Sequence, residues 1–153
     1  MKYLLAFLFI ALPAQAATVG AIILQGVVPK VVSIAVVGVS PYNTLDLTTT
    51  QVNLPVANAT EQSNDLSGYT VTLSSANAGS LKNGALGSIA YTAKYNAVTV
   101  TLSATPVTIT NVASQVAVVN TTKPFTISYT GVPYVSILSG TYSDTLTFTI
   151  SAN

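Results

Sequence analysis

Residues 140–153, GTYSDTLTFTISAN, decide how the chain is read. Tyr142, Leu146, Phe148 and Ile150 share one parity, while Ser143, Thr145, Thr147, Thr149 and Ser151 take the other. A period of two, greasy on one side and hydroxylated on the other, predicts a half-buried β-strand. That strand runs almost to Asn153 and still needs a neighbour. Towards the other end, residues 18–28 (TVGAIILQGVV) form a second strand-like run. Here both parities are apolar: Ile22, Leu24 and Val28 lie with Gly20 and Gly26, and Val19, Ala21, Ile23 and Val27 lie opposite. Such a run predicts a strand buried on both faces or inserted into a groove. Pro29 stops it, since proline cannot donate to a ladder. A strand at each end of an all-β subunit points to pairing between chains, and from there to a fibre.

The residues ahead of that run have a different character. Lys2 supplies a short positive region, Tyr3 to Leu12 is unbroken and apolar, and Ala14-Gln15-Ala16 places small residues where a signal peptidase reads. The apolar run is too short for a bilayer, which takes ~20 residues. Residues 1–16 are therefore expected to be a signal peptide, removed on export, with no membrane segment afterwards. Lys30, Lys82, Lys94 and Lys123 then balance Asp46, Glu61, Asp65 and Asp144. Without a basic patch, nucleic acid is an unfavourable partner.

Between the termini the pattern is of short strands. Val31 to Val39, Leu45 to Thr49, Val52 to Val56, Leu66 to Ser75, Ser88 to Tyr95, Val98 to Leu102, Gln115 to Val119 and Phe125 to Tyr129 all read as strands. Pro55 favours an edge position for its strand, and Ala57 to Asp65 reads as a polar loop. Asn83-Gly84 signals a hairpin turn. Turns every eight to twelve residues with no helical spacing indicate one β-sandwich domain.

Catalytic chemistry finds little footing. Histidine and cysteine are absent, so neither a Ser-His relay nor a thiolate nucleophile can be assembled, and imidazole or thiolate metal sites are excluded. Glu61 and Asp65 are near enough in sequence to be weighed as a carboxylate pair, but the reading of that stretch is a solvated loop. No catalytic residue, metal ligand or cofactor is assigned. Of the eight tyrosines, Tyr69, Tyr91, Tyr95, Tyr129 and Tyr142 share parity with core residues and are expected to bury their rings. Tyr42 and Tyr134 adjoin prolines in turns, where they are open to a ligand role.

The stretch GTYSDTLTFTI resembles the closing strand of spore coat protein U domains, the subunits of archaic chaperone–usher pili. Residues 64–73 (NDLSGYTVTL) resemble an internal strand of that group, and Ile89-Ala90-Tyr91 its following strand. Gly140 stands where many chaperone–usher pilins carry a glycine before the last strand, and Val28-Pro29 resembles the donor segment of class 5 fimbriae. The chain departs from the group in lacking a disulfide and in carrying Ala152 where many pilins have tyrosine. The resemblance implies an incomplete immunoglobulin-like β-sandwich over residues 30–153, with an N-terminal donor-strand extension over 17–29. Thr18, Val19, Ala21, Ile22, Ile23, Leu24, Gly26 and Val28 would then form the donor strand. Gly140, Tyr142, Leu146, Phe148 and Ile150 would form the strand that flanks the groove and meets the chaperone. The implied partners are copies of the chain itself, a periplasmic chaperone and an outer-membrane usher, and the implied place is a cell-surface pilus serving adhesion or biofilm formation. The competing expectation is a self-contained secreted β-sandwich binding a carbohydrate or surface ligand, with residues 18–28 folded back as its own first strand.

Overall fold

The computed structural model describes residues 19–153, so the expected signal peptide and Thr18 lie outside the described residues. Nine strands and no helix are found among them. In chain order these are β1 (Val32–Gly38), β2 (Gln51–Ser63), β3 (Tyr69–Ser75), β4 (Ser80–Lys82), β5 (Ser88–Tyr95), β6 (Val98–Val100), β7 (Val107–Val112), β8 (Val119–Tyr129) and β9 (Leu146–Ala152). One antiparallel sheet has the order β1-β2-β8-β5-β4, with β6 paired to β5; a second has the order β7-β3-β9. The described residues are all-β, and their two sheets share one core.

Alternation explains the central strands. Tyr69, Val71, Leu73 and Ser75 are buried along β3 while Thr70, Thr72 and Ser74 turn outward. Along β5, Ile89, Tyr91, Ala93 and Tyr95 are buried in the same way. On β9, Leu146, Phe148 and Ile150 are half-buried, and Thr147, Thr149 and Ser151 are exposed. Phe148 joins the sheets: its ring meets Phe125 of β8 edge-on at 5.5 Å and lies 6.1 Å from the ring of Tyr95 of β5.

The structure corrects several expectations. Ala57 to Ser63, read as part of a loop, belongs to the longest strand, where Ala59, Glu61 and Ser63 are buried. Pro55 is on no edge, because β2 runs between β1 and β8. It sits beside a register shift between Pro55 and Ala57, and bulges are where a strand tolerates proline. The shift also moves the buried positions from Val56 to Ala59, Glu61 and Ser63, reversing parity midway. Leu45 to Thr49 is a turn rather than a strand. Asp46 holds it by accepting hydrogen bonds from Thr48 N (2.9 Å), Thr48 Oγ1 (2.6 Å) and Thr49 Oγ1 (2.7 Å), the local bonding by which aspartate competes with ladders. Gln115 to Val118 carries no strand, and β8 instead runs unbroken from Val119 to Tyr129. Val19 to Val28 is not in a strand.

Glycine is indispensable at one turn. Gly68 has φ +79°, and a Cβ there would stand 1.8 Å from the carbonyl oxygen of Val112. The turn it closes, with Gly68 N donating to Asp65 O at 2.9 Å, delivers the chain from β2 into the second sheet at Tyr69.

The face assignment on β9 has a direct consequence. Phe148→Asp removes the ring that meets Phe125 and Tyr95 and leaves a carboxylate there with no arginine in the chain to pair it. It is expected to destabilise by at least about 3–5 kcal/mol, the range for losing a packed phenylalanine. Thr147→Asp, on the exposed parity, is expected to stay within about 0.5 kcal/mol. Denaturant unfolding of the two purified variants checks this, and equal losses would overturn the assignment.

Candidate functional site

β1 and β9 approach within 8 Å of each other, yet no ladder joins them. In their sheets β1 pairs only with β2 and β9 only with β3, so each leaves one edge outside any ladder. Between these edges lies a cavity of about 300 Å³. Val36 and Gly38 of β1 form one wall, and Leu146 and Phe148 of β9 form the other. Phe125 and Ile127 of β8 contribute to its lining. The lining is mostly apolar, which explains why the inward side chains of β9 remain half-covered.

One carboxylate, Asp144, stands in this wall. Its Oδ2 accepts from Ser75 Oγ at 2.5 Å and Tyr91 OH at 2.6 Å. Its Oδ1 accepts from the backbone N–H groups of Asn77 at 2.9 Å and Thr145 at 2.8 Å. All four acceptor positions of the carboxylate are thereby used. Burial and the bond to Asp144 push the Tyr91 phenol well above its ordinary range, so it stays a neutral donor. This knot pins the place where the chain passes from one sheet to the other. Just before it, Ser143 bridges to Lys82 of β4 by two 2.9 Å backbone bonds; just after it, β9 begins.

Gly140 and Tyr142 accordingly precede β9 rather than lying on it. Gly140 holds φ +151°, a backbone conformation that residues with a Cβ rarely adopt, and packs against the Asn83 side chain. Tyr142 donates to Leu138 O at 3.0 Å. Of the five residues expected on the groove strand, Leu146 and Phe148 line the cavity and Ile150 lies farther along the same face of β9.

The expected donor residues sit elsewhere. From Val19 to Val28 the chain is exposed throughout, and Ile22, Ile23 and Leu24 each keep 85% or more of their surface in solvent. None of these residues lines the cavity. Contiguous apolar exposure of this kind marks interaction surface. The ribbon leaves the body through a clamp. Asn64 reads the departing backbone with its side-chain amide, Oδ1 accepting from Val31 N (2.7 Å) and Nδ2 donating to Pro29 O (2.9 Å). Asn64 N donates to Val31 O at 3.1 Å, and Lys30 forms an ion pair with Asp65. These bonds continue the β1–β2 pairing beyond Val32 and Ser63, so the segment departs in line with β1.

Glu61 is the feature that reading by pattern misses. It is fully buried, and its carboxylate gathers strands of both sheets. Oε2 accepts from Lys123 Nζ (2.6 Å) and Tyr69 OH (2.9 Å), and Oε1 from Tyr95 OH (2.6 Å) and Thr110 Oγ1 (2.9 Å). The Lys123 ammonium also sits 5.6 Å from the centre of the Tyr95 ring, within cation–π range. Burial works against the Glu61 charge, but the bonds from Lys123, Tyr95, Tyr69 and Thr110 outweigh it and hold the carboxyl below its ordinary value. Burial and the same carboxylate push the Tyr69 phenol up to about 12. Glu61 and Asp65 do not face each other as a pair: one is a tie between sheets, the other half of the exit clamp. The only signal in sequence is the coexistence of one isolated acid and several core-parity tyrosines.

Among the described residues no group of three or more His, Cys, Asp or Glu is placed to hold a metal ion. Neither a protein-family model nor a curated protein matches the chain.

Because Glu61 titrates below its ordinary 4.5 in the fold, the unfolded chain takes up that proton first as pH falls. Its stabilisation is complete above about 4.5 and is lost as pH drops through the depressed folded value. Thermal melts should therefore fall in midpoint below that pH. Glu61→Gln, which turns an amide nitrogen towards donors, should cost about 3–5 kcal/mol at neutral pH and give a shallower acid decline. A variant melting like the parent at both pH values would contradict the tie.

Proposed function

We propose that this chain is a structural subunit of an extracellular pilus, polymerised by donor-strand exchange. In this reading its body is an incomplete immunoglobulin-like sandwich, in which β1 and β9, now within 8 Å of each other, move apart to admit a further strand between their unladdered edges. The apolar ribbon around Val19 to Val28 of the next subunit fills that opening, a form of β-strand addition. Backbone pairing to the free edges supplies affinity, and side chains entering the cavity supply specificity. The single observation that carries the proposal is that one chain holds both halves of the contact, an unfilled apolar seam and an unburied apolar ribbon.

Burying five aliphatic side chains at ~1.5–3 kcal/mol each gives roughly 7–15 kcal/mol before ordering costs. Head-to-tail repetition does not close on itself, so it propagates a filament. A periplasmic chaperone protects the seam before assembly, an outer-membrane usher delivers the subunit, and adhesion or biofilm formation is the purpose. A self-contained domain would instead tuck the ribbon in beside its own strands. The exposure of the ribbon in the single chain, and its absence from the lining of its own cavity, favour the intermolecular reading.

Deleting residues 17–28 from the secreted protein tests the proposal. The truncated subunit is expected to fold, to be recovered with a chaperone and to form no filaments under negative-stain microscopy. Filaments of ordinary length from the truncated chain would refute it.

A further inference from the structure

We infer that the even-numbered face of the ribbon enters the seam, with Ile22 and Leu24 of a second copy of this chain occupying the cavity between β1 and β9. The inference rests on the donor-strand reading above and adds which side chains make the contact. Apolarity alone does not choose a face, because both faces of the ribbon are greasy. Cavity size and wall chemistry do choose.

A volume of about 300 Å³ is roughly twice that of an engineered cavity, about 150 Å³, that accepts one benzene. It therefore suits two branched side chains rather than a long row of them. On an extended strand, side chains of one face stand two residues apart, or about 6.6 Å. The even face reads Gly20, Ile22, Leu24, Gly26, with one adjacent bulky pair between two glycines. The odd face reads Val19, Ala21, Ile23, Gln25, Val27 and has no such pair.

The surroundings fit that order. The cavity spans Val36 and Gly38 on one side and Leu146 and Phe148 on the other, whereas Ile34 and Ile150 do not line it. The odd face would also bring the amide of Gln25 against an apolar lining. Of the polar groups in that lining, Asp144 has every carboxylate acceptor position engaged and Tyr91 donates to it, which leaves only the Tyr42 hydroxyl to meet an amide. An amide buried without a partner is unfavourable, and the even face leaves Gln25 in water. The occupant is a second copy because each chain's own ribbon stands in solvent and lines none of the cavity.

The chain has no cysteine, so single thiols can be placed at will. Ile22→Cys, Ile23→Cys and Leu24→Cys are made separately in the full-length secreted protein and labelled with a maleimide, as dilute subunit and as assembled filament. In the dilute subunit all three are expected to react alike. In filaments, Cys at 22 and 24 should be protected many-fold, while Cys at 23 reacts near its free rate. Protection of 23 with 22 and 24 reactive, or equal protection of all three, overturns the face assignment and leaves donor-strand exchange standing. Equal reactivity of all three in filaments, or no filaments from the unsubstituted chain, overturns both. Protection already present in the dilute subunit shows that the ribbon fills its own seam and overturns the second-copy occupant.

Discussion

The contact of Phe148 with Phe125 and Tyr95 is what brings the second sheet onto the first along the open side of the molecule. It is made by a strand with only one neighbour, so the ring is packed from below and uncovered at its flank. At the other end of the seam the closure is polar: Glu61 lies opposite Ile34 and collects Lys123, Tyr69, Tyr95 and Thr110 from four further strands. The body is thus tied at one end by a buried charge and left with an apolar opening at the other, by Val36, Gly38 and Leu146. With no disulfide available, the sheets depend on these two contacts, the Asp144 bonds to Ser75 and Tyr91, and the core between them. A buried charge network satisfied on every oxygen is a rigid tie but a demanding one, because loss of any partner leaves the rest unpaired.

Much of this was legible from residues alone. The period of two on β3, β5 and β9 placed Tyr69, Tyr91, Tyr95, Phe148 and Ile150 on inward faces, and the structure agrees. What stayed hidden depended on partners far away in sequence. Glu61 sits in a run of polar residues that looks like a loop, and only Lys123 and two tyrosines brought in by other strands make it a core residue. The bulge beside Pro55 reverses parity inside β2, so no single alternation fits that strand. The turn after β1 imitates a strand because Leu45 and Leu47 do pack on the core, while Asp46 folds the backbone between them. At the candidate site, Leu146 and Phe148 could be read directly. The cavity could not, since it depends on which strands lack a second neighbour.

The N-terminal ribbon is where local pattern and tertiary structure part company. Its composition asks for burial on both faces, yet its large side chains stand in solvent, and Asn64 holds the backbone where it joins the body. A chain that displays so much apolar surface, with few charges to keep neighbours apart, is poised for association. The unpaired edges of β1 and β9 supply the matching backbone, and the cavity supplies the matching volume. Strand insertion satisfies all three at once, whereas a ligand that merely touched the surface would leave the edges unpaired.

Amide hydrogen exchange, compared between dilute subunit and assembled protein, tests this account most directly. Donor insertion predicts that amides of residues 20–28 and the free-edge amides of β1 and β9 gain protection together, by orders of magnitude, only on assembly. Filaments in which residues 20–28 keep exchanging at the rate of an unstructured chain would contradict it.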